Sequence, residues 1–379
     1  SDIVELDGFT VKAKALEGSS LALLSERQKA SSISDAIGAE SFSLLGVGDA
    51  ADALSKTTGV SIADGKYMVV RGLSDRYNNT TLNGSTVPSA DPDKRAVQLD
   101  QFPSGIIESI VTSKSFTPDK SGNFTGGSVN VVTKSVPDAG FMNFSIGFSY
   151  NEKTTFGDYL ASSGSGSDWL GRDDGLRAIP QVVLDAGSIP VAPNNQPQEN
   201  LDLMDSAVKA FNPQLAPEVK TAPLNHSFSV AFGDRYPIGE SAEGPVIGVI
   251  GSFNYKRSYS AYDDGEVGRY ELEGRDFRLG STQSFTESKG VDEAQWGAIL
   301  NAAITFNGDH EVGIKSMYNQ SGQDEAIFRT GSYRVGAADG IFNARNLHYT
   351  ERTLSSYQLF GEHRFQSLNG LELDWEAST

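Results

Sequence analysis

The chain contains no cysteine, which excludes disulfides and thiolate metal sites. It has no run near the roughly 18 consecutive apolar residues that a membrane helix needs. Positive charge is scarce: 31 Lys+Arg stand against 49 Asp+Glu, for a formal net charge of −18. A nucleic-acid partner, which requires a basic face, is therefore not expected. The four histidines (His226, His310, His348, His363) are dispersed, with no His-x-x-x-His spacing, so no metal site is expected. No phosphate loop of the G-x-x-x-x-G-K-[ST] kind is present, and "GSGS" and "GDRYPIGE" match no catalytic elbow. The chain reads as a non-enzyme without a cofactor. Its start, "SDIVELDGF", has no basic region leading into an apolar run, so a signal peptide has been removed or never existed.

What is present favours β-structure. There are 40 glycines, 20 Phe, 13 Tyr and 3 Trp, and 379 residues suffice for two or more domains. Lack of an apolar helix does not exclude a membrane, because barrel strands need only about 9–11 residues with one apolar face. Residues 1–30 are loosely patterned and read as an extended or mobile segment.

Residues 31–137 read as a compact α+β domain of mixed elements. "GDAADALSKTTGV" carries Ala50, Ala53 and Leu54 at helical spacing, with Gly59 as a stop. "KYMVVRG" reads as a strand, and "TTLNGSTV" as a hairpin on the turn dipeptide Asn83-Gly84. "FPSGIIESIVTSKS" reads as a helical turn running into a strand, and "GGSVNVVTKS" as another strand.

From 138 to 379 the texture is period two. Met142, Phe144, Ile146, Phe148 and Tyr150 alternate with Asn143, Ser145, Gly147 and Ser149. The pattern recurs in "HSFSVAF", in Ile247, Val249, Phe253 and Tyr255, in Trp296 through Phe306, and in Leu371, Leu373 and Trp375. Seven strands are expected, near 141–150, 225–237, 245–258, 294–306, 311–323, 350–366 and 371–379. Short turns at 239–244, 307–310 and 367–370 alternate with long polar connections at about 151–224, 260–290 and 325–350. Short turns at one end and long loops at the other describe a membrane β-barrel, with a polar lumen and an apolar outer face. A soluble sandwich also alternates, and is the competing reading.

Two arginines in the first domain, Arg71 and Arg76, follow a strand that reads as buried. They either pair with carboxylates on a barrel wall or stand as solvent-facing residues at a strand end. Acidic clusters in "SADPDK", "RDDG" and "AYDDGE" lack the spacing of a known calcium loop and read as solvated. The aromatics Tyr159, Trp169, Tyr259, Tyr262 and Tyr333 read either as substrate contacts or as interfacial anchors.

The run from about Ser34 to Lys134 resembles the plug domain of TonB-dependent outer-membrane receptors. The likeness rests on "VGDAADALSKTTGVSI" and on "VVRGLSDRYNNTTLNGSTVPSADPDKRAVQLDQFPSGIIESIVTSKSFTPDKSGNFTGGSVNVVTK". "DWLGRDDGLRAIP" in the first long connection also looks like this group, and "VELDGFTVKAK" resembles its TonB box. The resemblance implies an α+β plug domain followed by an antiparallel transmembrane β-barrel, with about seven strands present of roughly 22. It implies three regions: a coupling segment (1–30), a plug (31–137) and the N-terminal part of a barrel (138–379). It also implies a bacterial outer-membrane location and an inner-membrane TonB-type energy-transducing partner. The substrate would be a siderophore, cobalamin, oligosaccharide or peptide. The alternative is a non-transporting receptor, adhesin or assembly protein with the same plugged barrel.

By the same resemblance, Asp7, Phe9, Thr10 and Val11 form the TonB-box-like segment. Arg71, Gly72 and Arg95 meet the barrel wall. Arg76, Tyr77, Asn83 and Asp91 lie on plug loops facing substrate, and Gly126 and Gly127 form a plug turn.

Overall fold

The fold is described from a computed structural model. It describes residues 23, 33–39, 41–42, 49–63, 65–87, 89, 97–102, 104–118, 122, 124–137, 139–189, 197–239, 244–274, 278–334 and 340–379. The TonB-box-like residues Asp7, Phe9, Thr10 and Val11, and the loop residues Asp91 and Arg95, lie outside them.

The plug opens with strand β1 (Ser34–Gly38), which the sequence pattern did not reveal, and helix α1 (Ala50–Ser55). Asp49 caps α1 by accepting the Asp52 amide at 2.9 Å, and Ala50, Ala51, Ala53 and Leu54 are buried. A hairpin follows, β2 (Val60–Ala63) with β3 (Tyr67–Val70). The expected turn at Asn83-Gly84 joins β4 (Asn78–Leu82) to β5 (Ser85–Thr86). Both turn residues have positive φ, 53° and 92°, as a primed turn requires. A 3₁₀ turn (Ser104–Ile106) leads into β6 (Ile107–Ser113), and β7 (Gly127–Thr133) closes a five-stranded sheet in the order β1-β6-β7-β4-β5. Phe102, Leu99, Met68, Ile106 and Ile107 fill its core.

Seven further strands form one antiparallel sheet. In chain order they are β8 (Phe141–Ser149), β11 (Asn225–Pro237), β12 (Val246–Glu273), β13 (Arg278–Phe306), β14 (His310–Tyr333), β15 (Ile341–Phe365) and β16 (Leu371–Ser378). Each pairs with its sequence neighbour within the sheet. The number of strands is as expected; their lengths are not. The stretches 260–290 and 325–350 read as loops but are mostly strand, since β12 to β15 run for 28, 29, 24 and 25 residues. A membrane crossing uses only about 9–11 of these. Charges on both faces of the outer halves erase the period-two signal there.

The apolar face was read correctly. Met142, Phe144, Ile146 and Phe148 on β8, Phe232 on β11, Leu300 on β13, Ile314 on β14 and Leu359 on β15 are all exposed on the side away from the plug. The opposite face is less uniformly polar than expected. Ile250, Ile299, Met317 and Leu354 point inward and join the plug core as one apolar cluster. The wall therefore holds the plug partly by ordinary hydrophobic burial.

The connection 151–224 is a folded strap. It contains a two-stranded ribbon, β9 (Asp158–Ala161) paired with β10 (Glu218–Thr221), and a 3₁₀ turn (Asp168–Leu170). Helices α2 (Gln181–Ala186) and α3 (Gln198–Ala210) follow that turn. The strap lies across the outer face of β12–β15, beyond the apolar belt.

Candidate functional site: the plug–wall junction

The plug meets the wall at two levels. In the half nearer the short turns, the Asn301 amide donates to Thr133 Oγ1 at 3.1 Å and to the Lys134 carbonyl at 2.9 Å. On the same register row the side chains of Asn83 and Gln358 clasp. Asn83 Nδ2 donates to Gln358 Oε1 at 3.0 Å, and Gln358 Nε2 donates to the Leu82 carbonyl at 3.0 Å. Beside them Ser85 hydrogen-bonds to Glu376 and Ser378. Toward the long-strand end lie two ion pairs: Lys66 with Glu293, and Lys256 with Asp100 at 3.3 Å.

Burial shapes the charges in this upper layer. Desolvation pushes the Asp49 carboxyl up to about 6, against the lowering effect of its cap hydrogen bond. Desolvation also raises Asp100, and Lys256 and Lys66 offset it only in part. One Asp100 oxygen, Oδ1, has no hydrogen-bond partner among the described residues. Burial acts to lower Lys66, but Glu293 and Asp100 prevail and hold it above its ordinary value.

Above these pairs a cavity of about 450 Å³ opens between the plug and the inner face of the wall. Lys66, Tyr67 and Gln98 supply its plug side, and Lys289, Glu293, Gln323, Glu325 and Arg352 its wall side. Lys289 and Glu325 are paired at 2.9 Å. At the same height Glu287 accepts from both Tyr262 and Arg329. The lining can orient a polar ligand by many hydrogen bonds. No cluster of three metal-ligating side chains occurs among the described residues.

The resemblance-based assignments fare unevenly. Arg71 and Gly72 sit in an exposed turn with φ of 53° and 75°, and neither has a wall partner among the described residues. Arg76 and Tyr77 are exposed, so for both arginines the solvent-facing alternative fits these residues. Asn83, expected to face substrate, faces the wall instead, with its Nδ2 donating to Gln358, while its Oδ1 accepts from the Thr133 amide within the plug at 2.8 Å. Of the expected turn glycines, Gly126 lies in a bend and Gly127 opens β7; a Cβ on Gly126 would meet Asn78 Oδ1 at 2.3 Å and one on Gly127 would meet Val70 at 2.9 Å. Lys66, Asp100 and Lys256, the residues that join plug to wall, went unnoticed in the sequence. Lysines and aspartates scattered over 190 residues carry no local motif that would link them.

An α+β domain seated against the inner face of an antiparallel sheet, whose other face is a broad apolar belt, defines a plugged membrane barrel. Residues 26–129 match the family model of the TonB-dependent Receptor Plug Domain. The match covers the first domain, and the seven-stranded antiparallel sheet follows it. No curated protein matches the chain. Among solved structures it is similar to the siderophore receptor PiuA from Acinetobacter baumannii, with 11% identity, TM-score 0.36, and coverage of 92% of this chain and 45% of that one. It is also similar to a mutant of the ferric enterobactin receptor PfeA from Pseudomonas aeruginosa, with 10% identity, TM-score 0.37, and coverage of 93% and 49%. A third is the ferripyoverdine receptor of the Pseudomonas aeruginosa outer membrane, with 11% identity, TM-score 0.32, and coverage of 92% and 52%. The chain spans about half the length of these structures.

Proposed function

We propose that this chain is the N-terminal part of an energy-coupled outer-membrane receptor that binds a scarce substrate and imports it through a plugged barrel. The observation that carries the reading is the character of the plug seat. Two part-buried ion pairs and a few side-chain amide contacts supplement a modest apolar cluster. Such a junction can be released and reformed, whereas a fully apolar interface of the same size would hold the plug permanently.

In this reading substrate settles in the cavity between the plug and the wall. An inner-membrane TonB-type partner pairs with the N-terminal segment as an added strand and pulls. Force on the plug breaks the two ion pairs and opens a path along the wall. No bond in the substrate is made or broken, so no residue is assigned a catalytic role.

The test uses the full-length protein in cells supplied in turn with labelled ferric siderophores, cobalamin and oligosaccharides. Removing residues 2–13 abolishes uptake of the substrate that binds and leaves surface binding intact. Loss of binding together with uptake would overturn the coupling role. Uptake that survives the deletion would favour a receptor that does not transport.

A further inference from the structure

The cavity above the plug seat carries charges that offset one another. Lys66 is paired with Glu293, and Lys289 with Glu325 at 2.9 Å. Just above them Arg329 is paired with Glu287. Arg352, the remaining cation of the lining, is engaged as well. No cation of the described lining is left without a partner. An anionic ligand would have to break one of these pairs and strand a part-buried carboxylate, which is a costly exchange. The net charge of −18 on the chain adds a field that repels anions as they approach.

The lining offers hydrogen bonds instead, on two facing sides. On the plug side Gln98 donates to the Tyr67 hydroxyl at 3.0 Å. On the wall side Gln323 donates to Glu325 at 3.2 Å. An ammonium has three donors and a carboxylate about four acceptor positions, so each lysine–glutamate pair keeps spare donors and acceptors for a ligand.

A ring is fixed among these groups. Strand β12 bulges between Tyr262 and Gly265, with Asp264 at φ 57°. The Tyr262 side chain lies back over Gly265, where a Cβ would stand 2.6 Å from Tyr262 Cε2. Only glycine admits the ring there. The Tyr262 hydroxyl donates to Glu287, which Arg329 holds from the other side. The ring is thus clamped at its tip and along one edge, while 43% of the residue stays exposed where it borders the cavity. Bulges re-aim side chains in this way beside functional sites.

We propose that this cavity takes a neutral, polyhydroxylated ring compound, a saccharide, with Tyr262 as the platform beneath one sugar ring. The electron-rich face of an aromatic ring attracts the C–H groups on one side of a pyranose. The sugar hydroxyls, each both donor and acceptor, suit the charge-paired groups around it. The volume of about 450 Å³ lies within the roughly 300–1,000 Å³ of small-molecule sites. The site rests on the receptor reading above and supplies its substrate class, as distinct from an anionic ferric complex.

The test is binding to the purified full-length protein in detergent. One set of probes is an array of neutral glucan, xylan and mannan oligosaccharides; the other is ferric enterobactin and ferric citrate. The wild type captures a neutral glycan and neither ferric complex. Tyr262→Ala weakens the captured glycan about tenfold. Glu325→Gln, which leaves Lys289 unpaired, raises retention of ferric citrate about fivefold over the wild type. Capture of no neutral glycan overturns the proposal, and so does tighter binding of either ferric complex. Equal glycan affinity in Tyr262→Ala overturns it too, because the ring would then not be the platform. Should Tyr262→Ala fail to fold, Glu325→Gln decides: no gain for ferric citrate means that charge pairing does not set the selectivity, and the assignment falls. Uptake separates this site from the receptor reading. A glycan that is bound but not imported removes transport and leaves the site, whereas a ferric complex that is bound and imported removes the saccharide and leaves transport.

Discussion

The wall is gripped on both faces, by the plug on the inside and by the strap on the outside, and the two grips differ in kind. The plug is held by side chains: lysines, carboxylates and amides that reach across from separate backbones. The strap is held by side-chain bonds too, and in addition by close backbone approach. Gly171, at φ 64°, lies so close to Gly322 that a Cβ on either would come within 2.6 Å of the other strand or turn. At Gly290 a Cβ would stand 1.8 Å from the Leu160 carbonyl. Gln320 donates to the Gly171 carbonyl at 2.7 Å, and Arg177 forks onto both Asp168 oxygens at 2.8 and 2.9 Å while stacking 3.9 Å from the Tyr349 ring centroid. Burial opposes the Asp168 charge, but the hydrogen bonds from Arg177 and Ser165 prevail and hold its carboxyl below the usual range. A side-chain junction can be broken one contact at a time. Backbone laid against backbone through glycine has no such intermediate, and the strap is built to stay where the plug is built to leave.

The largest effect should come from attacking the strap's close approach. Gly290→Val puts side-chain atoms where the Leu160 carbonyl lies. Overpacking of this severity costs about 3 kcal/mol or more, because neither backbone can yield alone. Limited proteolysis of the full-length protein should then cleave within 151–224 much faster than in the wild type, while the plug stays protected. Equal protection of the strap would show that the contact is not structural.

A smaller effect is expected at the plug seat. Glu293→Gln leaves Lys66 charged and part-buried without its partner, for a loss of about 1–3 kcal/mol in plug stability. The double replacement Lys66→Met with Glu293→Leu should recover most of it. Hydrogen exchange of β2 and β3 reads both. If the double variant is as weak as the single one, the pair is more than a local latch.

The seat should also respond to pH, and the strap far less. Asp49 titrates in the folded plug at about 6, above its ordinary value of 3.8. Its protonated form is thus favoured by folding, so the stability it contributes is full below about pH 4 and is lost as pH rises through 6. A gap of that size corresponds to roughly 3 kcal/mol at most. Asp100 shifts in the same direction and adds to the trend. Denaturant midpoints for the plug should fall between pH 4 and 7, and Asp49→Asn, which keeps a capping oxygen, should flatten the curve. An unchanged slope in that variant would contradict the assignment to Asp49.

The smallest expected effect is at the Asn83–Gln358 clasp. Asn83→Ala removes the amide contact to Gln358 and the Thr133 amide bond, a loss of about 1 kcal/mol. A drop in plug stability larger than that of Glu293→Gln would invert the ranking of the two layers.

Much of this molecule could be read from local signals. The Asn83-Gly84 turn, the α1 spacing of Ala50, Ala53 and Leu54, and the alternation of Met142 through Phe148 each depend on neighbours a few residues away. The missing parts depend on distance. The outer halves of β12 and β13, from Tyr262 to Glu287, carry charge on both faces and so look like loop. The grip of the strap requires Gly171, Gly290 and Gly322 to meet, and a glycine in sequence does not say which backbone approaches it. Lys66 with Glu293 is a pairing across 227 residues. Arg71 drew attention as a charge after a buried strand, yet its positive φ marks it as a turn residue.

The most direct test of the contrast is native-state hydrogen exchange on the full-length protein in lipid vesicles, with urea raised in steps below the unfolding transition. Amides of β2 and β3 in the plug should open in a cooperative step of lower free energy than those of β9, β10 and the turn at Asp168–Leu170 in the strap. Opening of the strap before the plug, or of both in a single step, would contradict the account that one grip is made for release and the other for permanence.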